Sequence, residues 1–176
     1  YFASAKNDDG EVYNWNKEPF LDLYQILITE NGDSLAYGSA IEIIASKVNT
    51  EYHEASVAIT NDGNTLYFTR DNINKRNRLK YDKKGTTHLK MYKATLENNE
   101  WTNVVELPFN DNVFSTGHPA LSTDNKTLFF VSDREGGLGQ TDLYSVTIND
   151  DGTYGDPKNL GEKINSEGRE MFPFIA

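Results

Sequence analysis

Histidine is the residue type in this chain best suited to metal binding or proton transfer, and three are present: His53, His88 and His118. No two of them have the spacing of paired zinc ligands, and the chain has no cysteine. The oxygen-rich stretch at residues 149–152, N-D-D-G, lacks the alternating ligands and the distal glutamate of an EF-hand loop. We therefore predict no metal and no other cofactor, and turn formation explains this stretch better than calcium binding.

Carboxylates are the second group that could do chemistry, since the chain has 27 aspartates and glutamates. Residues 60–65, T-N-D-G-N-T, resemble the aspartate box of sialidase-type glycosidases, but that box separates its aspartate and glycine, whereas Asp62 and Gly63 are adjacent. Glycoside hydrolysis needs two carboxyl groups at a defined separation, and abundance alone provides no such pair. Residues 136–139, G-G-L-G, open no helix and so do not fit a phosphate-binding loop. The sequence predicts a protein that is not an enzyme.

Charge sets one segment apart from the rest of the chain. The net charge of -10 argues against nucleic-acid binding and against anionic lipid surfaces, since both require a basic footprint. No apolar run approaches the ~18 residues of a membrane span. Within residues 70–90, which we call the basic insertion, eight of the 17 basic residues accompany only two acidic ones. The eight are Arg70, Lys75, Arg76, Arg78, Lys80, Lys83, Lys84 and Lys90.

These residues must be positioned by a repeated unit. Residues 58–68, A-I-T-N-D-G-N-T-L-Y-F, return as residues 120–130, A-L-S-T-D-N-K-T-L-F-F, and residues 47–59 return as residues 163–175. Each full copy has four short runs rich in β-branched and aromatic residues, with apolar side chains on both strand faces, so both faces should be covered. This pattern predicts an all-β fold, a β-propeller of about three four-stranded antiparallel blades from a larger ring. A β-sandwich is the alternative.

The repeat also predicts boundaries. We expect a partial blade at residues 1–45, full blades at 54–107 and 117–160, and the first strand of the next blade at 170–176. The chain opens in the middle of a repeat, so we interpret its start as a cut within a longer protein, with the rest of the ring outside it. In the hairpin turn at residues 60–64, Gly63 should have a positive φ, and Asn125 should fill the matching place in the next copy.

In such blades the loops between the second and third strands and the connections between blades emerge on one face. Long loops on a rigid scaffold are where binding residues concentrate. A solvated loop whose charge serves solubility is the alternative, and for His118, in the segment G-H-P-A, the alternative is a buried, hydrogen-bonded structural role. The predicted partner-binding residues are Trp15, Lys17, Lys75, Arg76, Arg78, His118, Arg134 and Arg169.

The sequence motifs of the repeat resemble those of known protein families. The pattern S/T-x-D-G/N-x-T-L-Y/F-F, followed by D/K-L/M-Y, resembles the WD-like propeller repeat of the Tol-system periplasmic protein. More closely, residues 107–110 (L-P-F-N), 117–122 (G-H-P-A-L-S), 152–161 (G-T-Y-G-D-P-K-N-L-G) and 170–175 (E-M-F-P-F-I) resemble the propeller segment of OmpA-family cell-envelope proteins from Bacteroidetes. One member of that family is the peptidoglycan-associated lipoprotein of the type IX secretion system.

The resemblance implies a place and a role. It implies the periplasm, at the outer membrane, with cell-envelope proteins as partners and peptidoglycan bound through a flanking domain that this chain lacks. Nucleic acid and direct membrane insertion by these residues are not expected. The leading hypothesis is a non-catalytic platform for protein binding. The alternatives are a glycan-binding or hydrolytic propeller, and a structural spacer with no preferred face.

Overall fold

The computed structural model of the protein describes residues 1–5, 12–13, 16–31, 34–39, 41–42 and 48–176. The described residues contain strands and turns but no helix, and so none that could cross a membrane. The strands are β1 (Phe2–Ser4), β2 (Asp22–Gln25), β3 (Ile28–Asn31), β4 (Ser34–Tyr37), β5 (Ile41–Glu42), β6 (Glu54–Ile59), β7 (Thr65–Asp71), β8 (Leu89–Glu97), β9 (Glu100–Glu106), β10 (Thr116–Leu121), β11 (Thr127–Ser132), β12 (Asp142–Thr147) and β13 (Lys158–Asn159).

Two complete sheets follow one another along the chain. The middle sheet has the order β6-β7-β8-β9 and the last sheet the order β10-β11-β12-β13, with every neighbouring pair antiparallel. A first, three-stranded sheet has the order β1-β2-β5. The prediction of an all-β chain with four-stranded antiparallel sheets is thereby confirmed.

The strand bounds add three details. Strand β9 begins at Glu100, directly after Asn98 and Asn99, both with positive φ. Strands β3 and β4 form a separate hairpin between β2 and β5. Residues 170–176, predicted as the first strand of the next blade, pair with no strand among the described residues.

Apolar residues of the middle sheet are buried on both of its faces. Leu66 and Phe68, both fully buried, join Leu23 in a cluster between the first and middle sheets. The intervening residue Tyr67 points to the opposite face and joins a second cluster with Phe130 of the last sheet. Side chains of β7 alternate between the two faces of the sheet, so this one strand contributes to two hydrophobic cores. Its unbroken apolar run predicted this.

The first strand of each copy contains the same backbone irregularity. Ser56, His118 and Phe172 occupy matching positions and have φ values of 44°, 54° and 53°. In the middle and last sheets this position coincides with a shift in the pairing register, which is a β-bulge. Phe172 has the same positive φ, although residues 170–175 form no strand.

An asparagine after the last strand of each copy forms hydrogen bonds with the backbone of the third strand of that copy. Asn110 accepts a hydrogen bond from the backbone N–H of Met91 at 3.1 Å through Oδ1 and donates to the same residue's carbonyl at 2.7 Å through Nδ2. Asn49 makes the same two bonds with Leu23, and Asn165 makes them with Leu143. These side chains, which we call the asparagine clamps, extend the ladder at the third strand of every copy.

The turn predicted between the first two strands is confirmed, and its glycine can be tested. Gly63 has a φ of 72°, and Asn125 has a φ of 57° at the matching place. Because a β-branched residue strongly disfavours this conformation, Gly63→Val should lower the free energy of unfolding by about 1 to 2 kcal/mol. Chemical denaturation would measure the loss, with Asn125→Gly as a control that should be neutral or slightly stabilising. An unchanged midpoint for Gly63→Val would contradict this assignment of the turn.

Candidate binding face

The long connections emerge at one edge of the sheets, which we call the loop-rich face. Strand β7 ends at Asp71 and β8 begins at Leu89, so residues 72–88 join them there; residues 133–141 do the same between β11 and β12. Because neighbouring strands are antiparallel, the connection from β9 to β10 emerges at the same edge. The opposite edge, the turn face, carries tight turns such as residues 60–65.

The basic insertion is built from two tight turns. In the turn at residues 74–78, Oδ1 of Asn74 accepts the backbone N–H of Arg76 at 2.7 Å. In the turn at residues 82–86, Oδ1 of Asp82 accepts the backbone N–H groups of residues 84 and 86 at 2.8 and 2.9 Å. Hydrogen bonds from the Thr86 backbone and the His88 side chain lower the pKa of Asp82. Side chains at the tips are therefore presented on a folded scaffold.

Two of the eight cations of the insertion belong to the core of the fold. Arg70 pairs with the fully buried Glu54, its Nε lying 2.9 Å from Oε1. The ammonium of Lys90 lies 2.5 Å from a carboxylate oxygen of Glu106 and is also buried. The charge available to a partner therefore comes from the other six residues: Lys75, Arg76, Arg78, Lys80, Lys83 and Lys84.

Arg134 was predicted to bind a partner, but the structure engages it inside the fold. Its guanidinium carbon lies 5.1 Å from the ring centre of Phe130 and 5.0 Å from that of Tyr144. Its Nε donates to Oγ of Ser132 at 3.0 Å, and one Nη donates to the carbonyl of Phe109 at 3.2 Å. Burial lowers the pKa of this guanidinium. We therefore assign Arg134 to the stability of the last sheet.

His118 is held between two copies of the repeat. Its ring stacks on Phe172 at a centroid distance of 4.1 Å, and its Nδ1 accepts the backbone N–H of Phe172 at 3.3 Å. Its own backbone N–H donates to Oγ1 of Thr69 at 2.9 Å. Burial lowers the pKa of the ring, so at neutral pH His118 adds no positive charge to the loop-rich face.

Two grooves lie side by side on this face. The Ser115 groove has a volume of about 380 Å³ and the His53 groove a volume of about 320 Å³, and the two share Leu89 and His118. The Ser115 groove is lined among others by Ser115, Leu89, His118, Val131, Arg169 and Met171. The His53 groove is lined among others by His53, Tyr13, Thr69, Asp71, Leu89 and His118.

The two grooves are the same site in successive copies. His53 and Ser115 occupy matching positions, as do Asp71 and Asp133. Nδ1 of His53 accepts the backbone N–H of Leu21 at 3.1 Å, and Oγ of Ser115 accepts that of Leu89 at 3.2 Å. Burial lowers the pKa of His53, although the nearby Asp71 opposes this. Comparison of the copies in register is the sequence observation that could have identified these residues.

One constellation has the composition of a hydrolase triad. Nε2 of His88 lies 3.1 Å from Oδ2 of Asp82, and its Nδ1 lies 3.4 Å from Oγ of Ser115. The Ser115 oxygen also accepts the Leu89 N–H, which is the bond that His53 makes in the preceding copy. The arrangement ties the turn at residues 82–86 to the Ser115 groove.

The other predicted binding residues are dispersed. Lys75, Arg76 and Arg78 lie exposed on the first turn of the basic insertion, and Arg169 lies exposed beside the Ser115 groove with its Nε donating to Gln140 at 2.8 Å. Lys17 is exposed in the connection before β2. Trp15 lies outside the described residues. Within the described part of the chain, no group of three or more carboxylates and histidines is arranged to hold a metal ion.

Comparison with protein families finds no match to this sequence, and comparison with curated proteins also finds none. Among solved structures, the chain is similar to a puromycin-hydrolyzing peptidase of Mycobacterium tuberculosis, with a TM-score of 0.36 and 10% sequence identity. The similarity covers 78% of this chain and 30% of the peptidase, so the chain spans less than a third of that protein. A similarity this low carries no argument about fold or activity.

Proposed function

We propose that the protein is a β-propeller segment that serves as a non-catalytic platform for protein binding in the bacterial cell envelope. It would be part of an OmpA-family protein of the periplasm that is associated with the outer membrane. A domain beyond this chain would bind peptidoglycan. The whole protein would be a component of a secretion system such as type IX. Its partner would be another envelope protein, bound at the loop-rich face.

The observation that carries the proposal is a cavity shared by three copies of the repeat. Residues 57–59, 119–121 and 173–175 hold matching positions, and all line one cavity of about 320 Å³. Innermost strands of neighbouring propeller blades surround a central channel in the same way. A radial arrangement places every long loop on one face, which supports a platform with a preferred side.

Photo-crosslinking in the bacterium that makes the protein would test this proposal. A photoreactive amino acid in place of Arg76 would probe the loop-rich face, and one in place of Asp62 would probe the turn face; both positions are exposed. We expect a discrete protein adduct from position 76 and none from position 62. Adducts from neither position, or equal adducts from both, would favour a spacer instead.

The glycan-binding or hydrolytic alternative makes a different prediction. A folded sample of the chain should then retain envelope glycans on an array or release a reporter from glycoside substrates, whereas a protein-binding platform should do neither. Glycan turnover that is lost when a single carboxylate is replaced would overturn the proposal.

A further inference from the structure

We propose that two molecules of this chain close one propeller ring head to tail. Residues 170–175 of each molecule would pair as a first strand with the open edge of β1 in the other. The last sheet of one molecule would then pack on the first sheet of the other. This inference rests on the propeller architecture of the proposed function, and it names a second molecule of the same chain as a further partner.

The first sheet lacks one strand that the other two sheets have. Tyr24 of β2 pairs with Phe2 of β1 on one side and with Glu42 of β5 on the other. Tyr92 of β8 pairs with a phenylalanine of β7 and a glutamate of β9 in the same way. Strands β1, β2 and β5 therefore correspond to the second, third and fourth strands of the middle sheet. Among the described residues, no strand pairs with β1 on the side away from β2.

Residues 170–175 have the sequence features of the strand that the first sheet lacks. They match residues 54–59, which form β6. Phe172 has the positive φ that β6 and β10 have at their bulges. Pro173 matches Pro119, which lies within β10, so a proline at this place is compatible with a first strand.

The register of the middle sheet predicts the register of the new pair. Ala58 pairs with Tyr67 in that sheet, and the matching residues are Phe174 in one molecule and Tyr1 in the other. Aromatic residues directly opposite one another on neighbouring strands stabilise a sheet. Phe174 and Tyr1 would form such a pair across the contact between the molecules.

The open face of the first sheet exposes an aromatic ring whose counterparts in the chain are buried. Phe2 is 37% exposed, whereas Phe68 and Phe130 at the matching positions are fully buried. Each of these two buried rings belongs to a cluster that includes residues of the preceding sheet. The last sheet of a second molecule would cover Phe2 in the same way and remove its apolar surface from water.

The end of the unpaired segment alternates in exposure as a strand does when one of its faces is covered. Phe174 is 86% exposed, whereas Pro173 and Ile175 on either side of it are half-buried. Ala58, which matches Phe174, packs against the cluster between the middle sheet and the sheet that follows it. Phe174 would likewise pack between the first and middle sheets of the second molecule.

The proposed contact continues one that the chain already makes twice. The first and middle sheets enclose one hydrophobic cluster, and the middle and last sheets enclose another. Each molecule holds three such sheets, so two molecules hold six, within the range of about four to eight blades at which propellers close. A head-to-tail contact forms a closed ring when its rotation returns to the start, and here two molecules would complete the ring.

Analytical ultracentrifugation of the full chain would test the inference. We expect a species of twice the 19.9 kDa of one chain, and no larger species as the concentration rises, because a closed ring leaves no open face. Phe174→Glu should raise the dissociation constant of this dimer by about thirtyfold or more, as expected for the loss of a buried aromatic anchor. The matched control is Tyr81→Glu, at an exposed aromatic residue of the basic insertion, which should leave the constant unchanged. Circular dichroism would show that both variants remain folded.

A disulfide between molecules would test the register, since the chain has no cysteine of its own. Ala55 pairs with Thr69 in the middle sheet, so Ala3 and Met171 of different molecules should lie opposite one another. The double variant Ala3→Cys with Met171→Cys should therefore form a covalent dimer on oxidation. The control is Ala3→Cys with Lys158→Cys, whose second position is exposed on the outermost strand of the last sheet and should give no covalent dimer.

Several results would overturn the inference. A wild type that stays monomeric, or that forms open assemblies larger than a dimer, would do so. Equal dissociation constants for the wild type and Phe174→Glu would also overturn it, as would covalent dimers formed equally by both cysteine pairs. A monomer would mean that other segments of a longer protein cover the two open faces.

The two experiments separate this inference from the proposed function. If the chain is monomeric while crosslinking at position 76 still captures an envelope protein, the inference fails and the platform stands. If the chain forms the dimer while neither crosslinking position gives an adduct, the ring stands and the platform is wrong.

Discussion

Replacing Arg70 by glutamine should lower the free energy of unfolding by about 3 to 5 kcal/mol, the usual cost of leaving one member of a buried ion pair without its partner. Glu54 is fully buried, and its carboxylate lies 2.9 Å from Nε of Arg70 and 2.7 Å from Oγ1 of Thr50. The guanidinium also lies 4.8 Å from the ring centre of Tyr92. Urea denaturation above a pH of about 8, where Glu54 of the wild type is ionised, would measure the loss.

The effect of this substitution should depend on pH. Burial raises the pKa of Glu54 from 4.5 to about 8, and the charge of Arg70 opposes the rise. An acid whose pKa is raised by folding contributes stability below its unfolded pKa, and this contribution is lost as the pH rises through the folded pKa. Without Arg70 the folded pKa of Glu54 should rise further. Stability of Arg70→Gln should therefore go on falling above a pH of about 8, where that of the wild type levels off.

Arg134 provides the matched control. Its guanidinium lies on Phe130 and Tyr144 much as that of Arg70 lies on Phe68 and Tyr92. Its hydrogen-bond acceptors are uncharged oxygens, those of Ser132, Thr116 and Phe109. Arg134→Gln should therefore cost only about 1 to 3 kcal/mol, with no added pH dependence. Equal losses and equal pH profiles for the two variants would contradict the role assigned to Glu54.

A methyl group at Gly139 should detach the segment at residues 166–170 from the last sheet. A Cβ placed there would lie 2.3 Å from the carbonyl oxygen of Ser166 and 2.6 Å from that of Gly168, and neither is a flexible side chain. Gly139→Ala should therefore cost about 3 kcal/mol, the upper end of the usual range for overpacking. Trypsin would report the change as faster cleavage after Arg169.

Gly155→Ala is the control for that experiment. A Cβ at Gly155 would meet only ordinary contacts, the nearest of them 3.7 Å away in Thr147. This variant should keep the stability of the wild type and its rate of cleavage. If Gly139→Ala behaves in the same way, the close approach of the two segments is not a feature of the protein in solution.

The strands and turns could be predicted because their determinants are local. The turn at residues 60–65 needs a positive φ at Gly63, and the apolar run around Leu66 and Phe68 requires cover on both faces. For residues 170–176 the sequence predicts only the motif of a first strand, because a strand is defined by its pairing with a neighbour. The repeat predicted a strand there, and the structure has only its bulged conformation at Phe172.

The candidate site was predictable only in outline. The sequence predicts that the basic insertion lies on the face of the long loops. A count of charges along the sequence includes Arg70 and Lys90, which the structure buries. Their partners, Glu54 and Glu106, lie 16 positions away along the chain, and nothing local indicates which cation is buried with which acid. The groove residues were missed for a related reason: Leu89 and Met171 come from different copies and meet only in the folded chain.

The asparagine clamps have a consequence for how the protein folds during synthesis. Asn110 bonds Met91, and Asn165 bonds Leu143, so each clamp closes the sheet that has just left the ribosome rather than the sheet that follows. Every copy can then lock in turn while the next is still being made, in the vectorial order in which domains usually fold. Transient exposure of unpaired strand edges is thereby limited to one copy at a time. Because each asparagine clamp acts within its own copy, the chain could gain or lose whole copies in evolution and each resulting chain could still fold.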